Sequence, residues 1–179
     1  MKTVRLATIV VMLSSLIAGT VSPAQAYSSN WSHNSAAWYA YYGVHERYVF
    51  GGAKYRNNNR WDSDEGIDCS GYAAKAWAVD RYTSSMTYHH PYSTASFYFG
   101  FPYGVFRSRN IGWYATVWVY RDSQGGPSNH MGLFHSRNSD GTWTTYEAKG
   151  SAYGVVINRR SLSTLISWNY RRLARKNWV

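Results

Sequence analysis

The chain contains one cysteine among its 179 residues, Cys69, so no disulfide can form within it. It also begins with a segment typical of secreted proteins, which normally pair their cysteines. An unpaired cysteine in such a protein is a buried apolar side chain, half of an intermolecular bridge or a reactive thiol. Cys69 lies in Gly66-Ile67-Asp68-Cys69-Ser70-Gly71 at the start of a predicted helix, a setting that favours the reactive thiol.

The first 26 residues have the three parts of a secretory signal peptide. Lys2 and Arg5 precede the apolar stretch Leu6–Ala18, and Ala24-Gln25-Ala26 is a small-residue cleavage site. The apolar stretch is too short to span a membrane, and charges and glycines interrupt every later one. We therefore expect residues 1–26 to be removed and residues 27–179 to be secreted without stable membrane insertion. An uncleaved anchor is the alternative.

Residues 27–179 have the size of one ordinary domain, and no linker or repeat divides them. The net charge of +10 falls to +8 without Lys2 and Arg5, because 17 basic residues then face 9 acidic ones. This charge suits an anionic cell wall, a membrane surface or nucleic acid, or serves solubility alone. Nucleic acid is disfavoured because the basic residues are scattered. The largest cluster is Arg171, Arg172, Arg175 and Lys176. We expect a monomer.

Aromatic side chains are abundant, with 17 Tyr, 9 Trp and 6 Phe. Tyr and Trp combine an apolar face with a polar group and can line a groove for sugars or peptides. They can also build the core of a chain that is poor in Leu and Ile, and we favour this second interpretation.

The order of helix and strand signals predicts an α+β fold. Asn34 is a candidate N-cap for a helix over Ser35–Tyr42 that Gly43 ends, and a second helix is predicted from Cys69 to about Asp80. An extended piece (48–52), a polar loop (55–65) and an irregular segment (83–112) are also predicted. Strands are predicted over Ala115–Arg121, Met131–His135, Thr142–Glu147, Val155–Asn158 and Trp168–Leu173. Strands grouped after helices indicate an antiparallel sheet with the helices packed on one side.

The position of Cys69 at a helix start predicts a nucleophile. The thiolate is the reactive form, and the free N–H groups and dipole of a helix N-terminus lower the pKa of a thiol. Ser70 and Gly71 are small and leave room for a substrate. A small buried cysteine in a helix is an equally weighted alternative on position alone.

A cysteine nucleophile needs a base, and His130 is the best candidate among six histidines. It opens the predicted strand Asn129-His130-Met131-Gly132-Leu133-Phe134, where a side chain can be held firmly and still be exposed. His135 ends the same strand with the opposite parity, so the two cannot face one site.

The orienting partner of the base is predicted from hairpin geometry. A turn centred near residue 139 would place His130 opposite roughly residue 148, and Glu147 is the nearest acidic residue. A carboxylate beside an imidazole fixes its tautomer and stabilises its charged form. The alternative is a carboxylate at the rim of the site, paired with Lys149.

Three blocks of this sequence resemble those of the NlpC-like cysteine peptidases, papain-like enzymes that cut bacterial cell-wall peptides. They are Tyr48-Val49-Phe50-Gly51-Gly52, Gly66-Ile67-Asp68-Cys69-Ser70-Gly71 and Asn129-His130-Met131-Gly132-Leu133-Phe134. The resemblance implies a papain-like α+β fold over residues 27–179. It also implies Cys69 as nucleophile, His130 as base and Glu147 in the third polar position, where the family usually has His, Asn or Gln. Tyr48 would line the site, and Asp68 and Ser70 would hold a substrate amino terminus.

The sequence thus predicts a secreted cysteine hydrolase that cleaves peptidoglycan amide bonds through an acyl-enzyme, associated with an anionic wall surface. No cofactor or metal is expected, because one Cys and scattered His lack zinc spacing. Two alternatives stay open. One is amidase, acyltransferase or transglutaminase-like chemistry on the same scaffold. The other is a non-catalytic wall- or glycan-binding protein.

Overall fold

The computed structural model describes residues 32–50, 53–56, 66–78, 87–89, 92–100, 105–112 and 116–176. The predicted signal peptide and the glycine pair at 51–52 lie outside these residues. Among them, no helix combines the length and apolar composition needed to cross a membrane. The elements are α1 His33–Tyr42, β1 Ala53–Arg56, β2 Gly66–Ile67, α2 Cys69–Ala76, β3 Thr87–His89, a π-helical turn Ser96–Gly100, β4 Val105–Arg107, β5 Thr116–Tyr120, a 3-10 turn Asp122–Gln124, β6 His130–Arg137, β7 Trp143–Gly150, β8 Gly154–Arg160, α3 Leu162–Ser167 and β9 Arg171–Arg175.

Helix α1 begins two residues before the prediction. Its N-cap is Ser32, whose hydroxyl accepts a hydrogen bond from the backbone N–H of Ser35 at 3.1 Å, and not Asn34. A serine at this position satisfies one of the backbone donors that a helix start leaves unpaired. Gly43 is the C-cap, as predicted.

Helix α2 begins at the nucleophile candidate, because Asp68 caps it and accepts from the N–H of Gly71 at 2.8 Å. Every residue of α2 is buried, and several are Gly or Ala, which lets the helix lie close to its neighbours. The Tyr72 hydroxyl donates to the Ala40 carbonyl at 2.6 Å and ties α2 to α1. The helix ends at Ala76 and not near Asp80, and Ala78 turns away with a positive φ of 47°.

The described strands form two antiparallel sheets, which confirms a general α+β fold. The larger has six strands in the order β4-β9-β5-β6-β7-β8, and the smaller has the order β2-β1-β3. Four of the predicted strands correspond to β5, β6, β7 and β8, and their ends differ from the prediction by one to three residues. Helix α2 packs against β6 and β7 of the larger sheet.

Two further predictions of secondary structure are wrong. Residues 168–170 are not part of the last strand, since α3 ends there and Asn169 adopts a positive φ of 50° in the turn before β9. The segment 83–112 is not simply irregular, because β3, the π-helical turn and β4 lie within it.

The two faces of the larger sheet bury separate clusters. Val117, Val119, Met131 and Leu133 face α2 and the main core, whereas Trp118, Tyr120 and Phe134 face α3. Strand alternation produces this division. Aromatic side chains are among the largest buried groups, which confirms their predicted role in the core: Trp77, Trp118, Tyr72, Tyr98, Phe97 and Phe134.

The β6–β7 hairpin carries one irregularity. Near the turn Arg137 pairs with Trp143, and farther away Leu133 pairs with Tyr146. One extra residue on β6, His135, separates these two registers as a β-bulge. The ladder begins at Leu133, so the first residues of β6 extend past the stretch that pairs with β7.

Candidate active site

The thiol of Cys69 lies at the start of β6. The backbone N–H of Met131, the residue after His130, hydrogen-bonds to the sulfur, as do those of Ser70 and Cys69 itself. The β6–β7 ladder starts only at Leu133, which leaves the Met131 N–H available for this contact. The fold thus brings the predicted nucleophile to the strand end that carries the predicted base.

The predicted low pKa of Cys69 is wrong for the resting protein. Burial, with 5% of the residue exposed, and the negative charge of Asp68 raise the pKa of Cys69 to about 12. The backbone N–H groups at the helix start favour the thiolate, but they do not outweigh these two effects. The resting group is therefore a neutral thiol that has to lose its proton during any reaction.

His130 is held by contacts on several sides. Its Nε2 lies 3.0 Å from Oε2 of Glu147, as the hairpin argument predicts. Its ring meets Trp118 and Tyr120 edge-on, with centroids 5.2 and 6.1 Å away, and these two rings stack on each other. The His130 side chain is 10% exposed, which leaves an edge of the imidazole open to solvent.

The Glu147 contact assigns the two imidazole nitrogens. Burial raises the pKa of Glu147, but hydrogen bonds from His130 and Arg160 outweigh it and hold this pKa at about 2. An ionised carboxylate can only accept, so Nε2 of His130 carries the proton that is shared with Glu147. Nδ1 is then the nitrogen that can take a proton from a thiol.

Arg160 is a member of this cluster that sequence reasoning missed. Its Nε lies 2.8 Å from Oε1 of Glu147, and its Nη2 lies 2.5 Å from Oε2. Thr145 also donates to Oε1 at 2.6 Å, so the fully buried carboxylate accepts four hydrogen bonds. The suggested pairing of Glu147 with Lys149 at the rim is wrong. The alternation of side chains along β8 could have identified Arg160 if the predicted strand had been extended by two residues beyond Asn158.

Gly132 makes the diagonal contact between His130 and Glu147 possible. Continuing the register from Leu133 and Tyr146 places Gly132 opposite Glu147 on the face that carries His130. A Cβ on Gly132 would lie 3.1 Å from Cγ of Glu147 and 2.9 Å from the Tyr146 carbonyl oxygen. The absence of a side chain here lets the carboxylate lie across the strand.

The three predicted substrate-binding residues have different surroundings. Tyr48 forms a parallel bridge with Ile67, and burial together with the charges of Cys69 and Asp68 raises the pKa of Tyr48 to about 12. Ser70 is buried and donates to Asp68 at 2.8 Å, so this pair helps to cap α2. Their proposed contact with a substrate amino terminus stays a prediction.

An open pocket of about 530 Å³ lies on the His130 side of the site. Cys69 is not among the residues that line it. Polar and charged groups alternate with aromatic ones around it: Tyr48, Phe50, Tyr120, Asp122, Pro127, Ser128, Asn129, His130, Lys149 and Arg160. The Tyr120 hydroxyl hydrogen-bonds to Ser128, and burial raises the pKa of Tyr120.

The basic residues near the C-terminus do not form one exposed patch. Arg175 is buried at 2% exposure, and the guanidinium of Arg171 lies over the Tyr98 ring, 3.8 Å from its centroid. Lys176 is exposed. Within the described residues, no group of three His, Cys, Asp or Glu side chains is arranged to hold a metal ion.

No protein-family profile and no curated protein sequence matches this chain. Two crystal structures of Ly7917 are similar to it in shape, one of them with "the hydrolyzing product of MDP". Each has a TM-score of 0.48, with 15% and 13% sequence identity, and the alignment covers 80% of this chain. This chain spans 62% of the length of those chains. A similarity this distant does not establish a common fold, so the site rests on its own geometry.

Proposed function

We propose that this protein is a cysteine hydrolase that cleaves amide bonds in bacterial cell-wall peptides. One observation carries the proposal: a buried imidazole–carboxylate pair, 3.0 Å between His130 and Glu147, lies where the backbone of β6 meets the thiol of Cys69. A nucleophile, a base and an orienting group in this order are the parts that acyl transfer requires.

The chemistry begins from a neutral thiol. Nδ1 of His130 takes the proton of Cys69 as the sulfur attacks the amide carbonyl carbon, and Glu147 stabilises the imidazolium that forms. The Cys69 backbone N–H, in the first turn of α2, is a donor for the developing oxyanion. The imidazolium then protonates the leaving amine, which gives a thioester. His130 next activates a water that hydrolyses the thioester and restores the thiol.

The cell-wall substrate is supported by the sequence. The three blocks resemble those of NlpC-like peptidases, and the mature chain carries a net charge of +8 that suits an anionic wall. The signal sequence supports action outside the cell. We propose a papain-like arrangement for the domain on the same resemblance.

The test is mass spectrometry of purified peptidoglycan fragments after incubation with the protein. The wild-type chain should release new amine and carboxylate ends, whereas Cys69→Ala and His130→Ala should release none. Their effects should not add in the double variant, because a nucleophile and its base act as a unit. His135→Ala is the matched control, since His135 contacts Ser136 and Tyr146 on the other face of the sheet. Equal products from the wild type and Cys69→Ala would overturn the proposal.

A glycan-binding role is the second candidate, and an exposed aromatic group on α1 favours it. Trp38, Tyr41 and Tyr42 are 42%, 59% and 56% exposed, and the Trp38 and Tyr42 rings lie 4.4 Å apart. Sugars stack on such faces. Wall binding by Cys69→Ala that is lost in a Trp38→Ala, Tyr42→Ala variant, without hydrolysis by the wild type, would favour this role.

A further inference from the structure

Arg160 makes the most extensive contact with the candidate acid–base pair without touching the imidazole itself. Its guanidinium forms two hydrogen bonds with the two oxygens of Glu147, the fork arrangement that gives strong ion pairs. It also lies 5.2 Å from the ring of Trp118, the side chain against which His130 packs. Arg160 is therefore held by Glu147 and by Trp118, the ring that supports His130.

The charge of Arg160 weakens the electrostatic stabilisation that Glu147 gives to the protonated form of His130. A buried carboxylate alone beside an imidazole strongly favours the imidazolium, because little water screens the interaction. An imidazole that is already protonated cannot take a proton from a neutral thiol. With Arg160 attached, the carboxylate and guanidinium together carry no net charge, so the orienting hydrogen bond remains while most of the electrostatic bias is removed.

We propose that Arg160 is a positioning residue that neutralises Glu147 and keeps His130 available as a base near neutral pH. This role rests on the proposed function of the site. It assigns the working site four groups beside the nucleophile's own helix: His130 on β6, Glu147 and Thr145 on β7, and Arg160 on β8.

Other charged and titratable groups also face His130. Tyr120 lies against it from β5, and the backbone N–H of the next residue, Met131, hydrogen-bonds to Cys69 of α2, which has Asp68 beside it. Asp122, Lys149 and Tyr48 line the same pocket. Cys69 is replaced by Ala in every chain compared below, and the other groups are common to all of them. They therefore shift all measurements alike, and the difference between variants reports on Arg160.

The test is an NMR titration of the His130 ring in the full chain with Cys69→Ala, in which the signal is assigned by its loss in His130→Gln. Arg160→Met should raise the midpoint of the His130 titration by about one pH unit, because the carboxylate loses its partner. Arg160→Lys keeps a positive charge and should move it less. Glu147→Gln should lower the midpoint, and the Glu147→Gln, Arg160→Met double variant should return it toward its starting value.

Arg159→Met is the matched control. Arg159 is the neighbouring residue on β8, lies 3.1 Å from the exposed Asp140 and should leave the midpoint unchanged. Arg160→Gln, which is neutral but can still hydrogen-bond to Glu147, replaces the methionine variant if that chain does not fold. A midpoint in the folded neutral variant equal to that of Arg159→Met would overturn the proposal.

The titration does not depend on a substrate, so it separates this inference from the proposed function. In the active chain, the acidic limb of kcat/KM against pH should move upward in Arg160→Met by the same amount as the midpoint. A rise in KM with an unmoved pH profile would instead make Arg160 a substrate contact and overturn the positioning role.

Discussion

Gly132 lies so close to Trp118 that a Cβ on the glycine would stand 2.7 Å from the indole ring. Both residues sit on the sheet face that carries His130, and they are directly paired between β5 and β6. The indole supports the imidazole from one side while the glycine leaves space for Glu147 on the other. The acid–base pair therefore depends on a missing side chain as much as on the groups that react.

Gly132→Ala should damage both stability and activity. The added methyl meets the backbone carbonyl of Tyr146, which cannot move away easily, so we expect a loss of about 1–3 kcal/mol in the free energy of unfolding. Activity should fall by more than the unfolded fraction of the protein accounts for, because Glu147 is displaced from His130. Gly141→Ala is the control, since its Cβ would meet open space and only its positive φ of 82° is strained. Urea unfolding and the hydrolysis rate of each variant provide the measurements. Full activity in Gly132→Ala would contradict this account.

Glu147 should make stability depend on acid pH. Its pKa is lowered from 4.5 to about 2 in the folded chain, so the unfolded chain binds its proton first as pH falls. The contribution is complete above about pH 4.5, is lost as pH falls toward 2, and amounts to about 3 kcal/mol. Urea unfolding of wild type and Glu147→Gln between these pH values should show their difference shrinking as pH falls. A constant difference over the whole range would exclude this assignment, and replacement of an exposed carboxylate, Asp122→Asn, provides a control.

The resting thiol of Cys69 should react slowly with iodoacetamide near neutral pH. Burial and Asp68 raise its pKa to about 12, and the thiolate is the reactive form. Asp68→Asn removes the charge and retains an efficient N-cap, so it should speed alkylation severalfold at pH 8. Asp122→Asn, which changes a pocket carboxylate farther from the thiol, should not. A wild-type thiol that reacts at pH 7 as fast as a free cysteine would contradict the raised pKa.

Wall binding should weaken as salt rises, because exposed charges are screened over about 10 Å at 0.1 M ionic strength. Since Arg175 is buried, the test neutralises three basic residues taken from those that are exposed: Arg109, Arg137 and Lys176. Their combined replacement by Gln should imitate high salt in a pelleting assay with intact walls, while Arg109→Lys, Arg137→Lys and Lys176→Arg together should bind as wild type. Cleavage of a small soluble fragment should change little. Binding that does not change with salt concentration would indicate that the exposed aromatic group on α1 attaches the protein to the wall.

Local sequence predicts much of this site. Asp68 before a run of small residues specifies where α2 starts, and that start places Cys69. The Asn138–Gly141 turn predicts the hairpin, and its centre near residue 139 puts Glu147 within reach of His130. These features depend on neighbouring residues or on one turn, so a single sequence carries them.

Other features depend on packing between distant segments. Arg160 belongs to a strand whose predicted end, Asn158, stops two residues short, because consecutive charged residues read as the end of a strand. The pKa of Cys69 follows from how deeply α2 is buried, which the helix sequence alone does not indicate. The N-cap of α1 shifted from Asn34 to Ser32 because both residue types cap well.

The bulge at His135 decides which face of the sheet receives Glu147. Side chains alternate along a strand, so an extra residue that is not taken up by a bulge would exchange the two faces for everything beyond it. If the register near the turn, with Arg137 beside Trp143, continued unbroken, Leu133 would stand opposite Glu147 and the carboxylate would turn toward α2 and the apolar core. His130 would then face the buried rings of Trp118 and Tyr120 without an acidic partner. The bulge takes up His135 as an extra residue on β6, and this keeps Gly132 opposite Glu147 and holds the base and the acid on one face of the sheet.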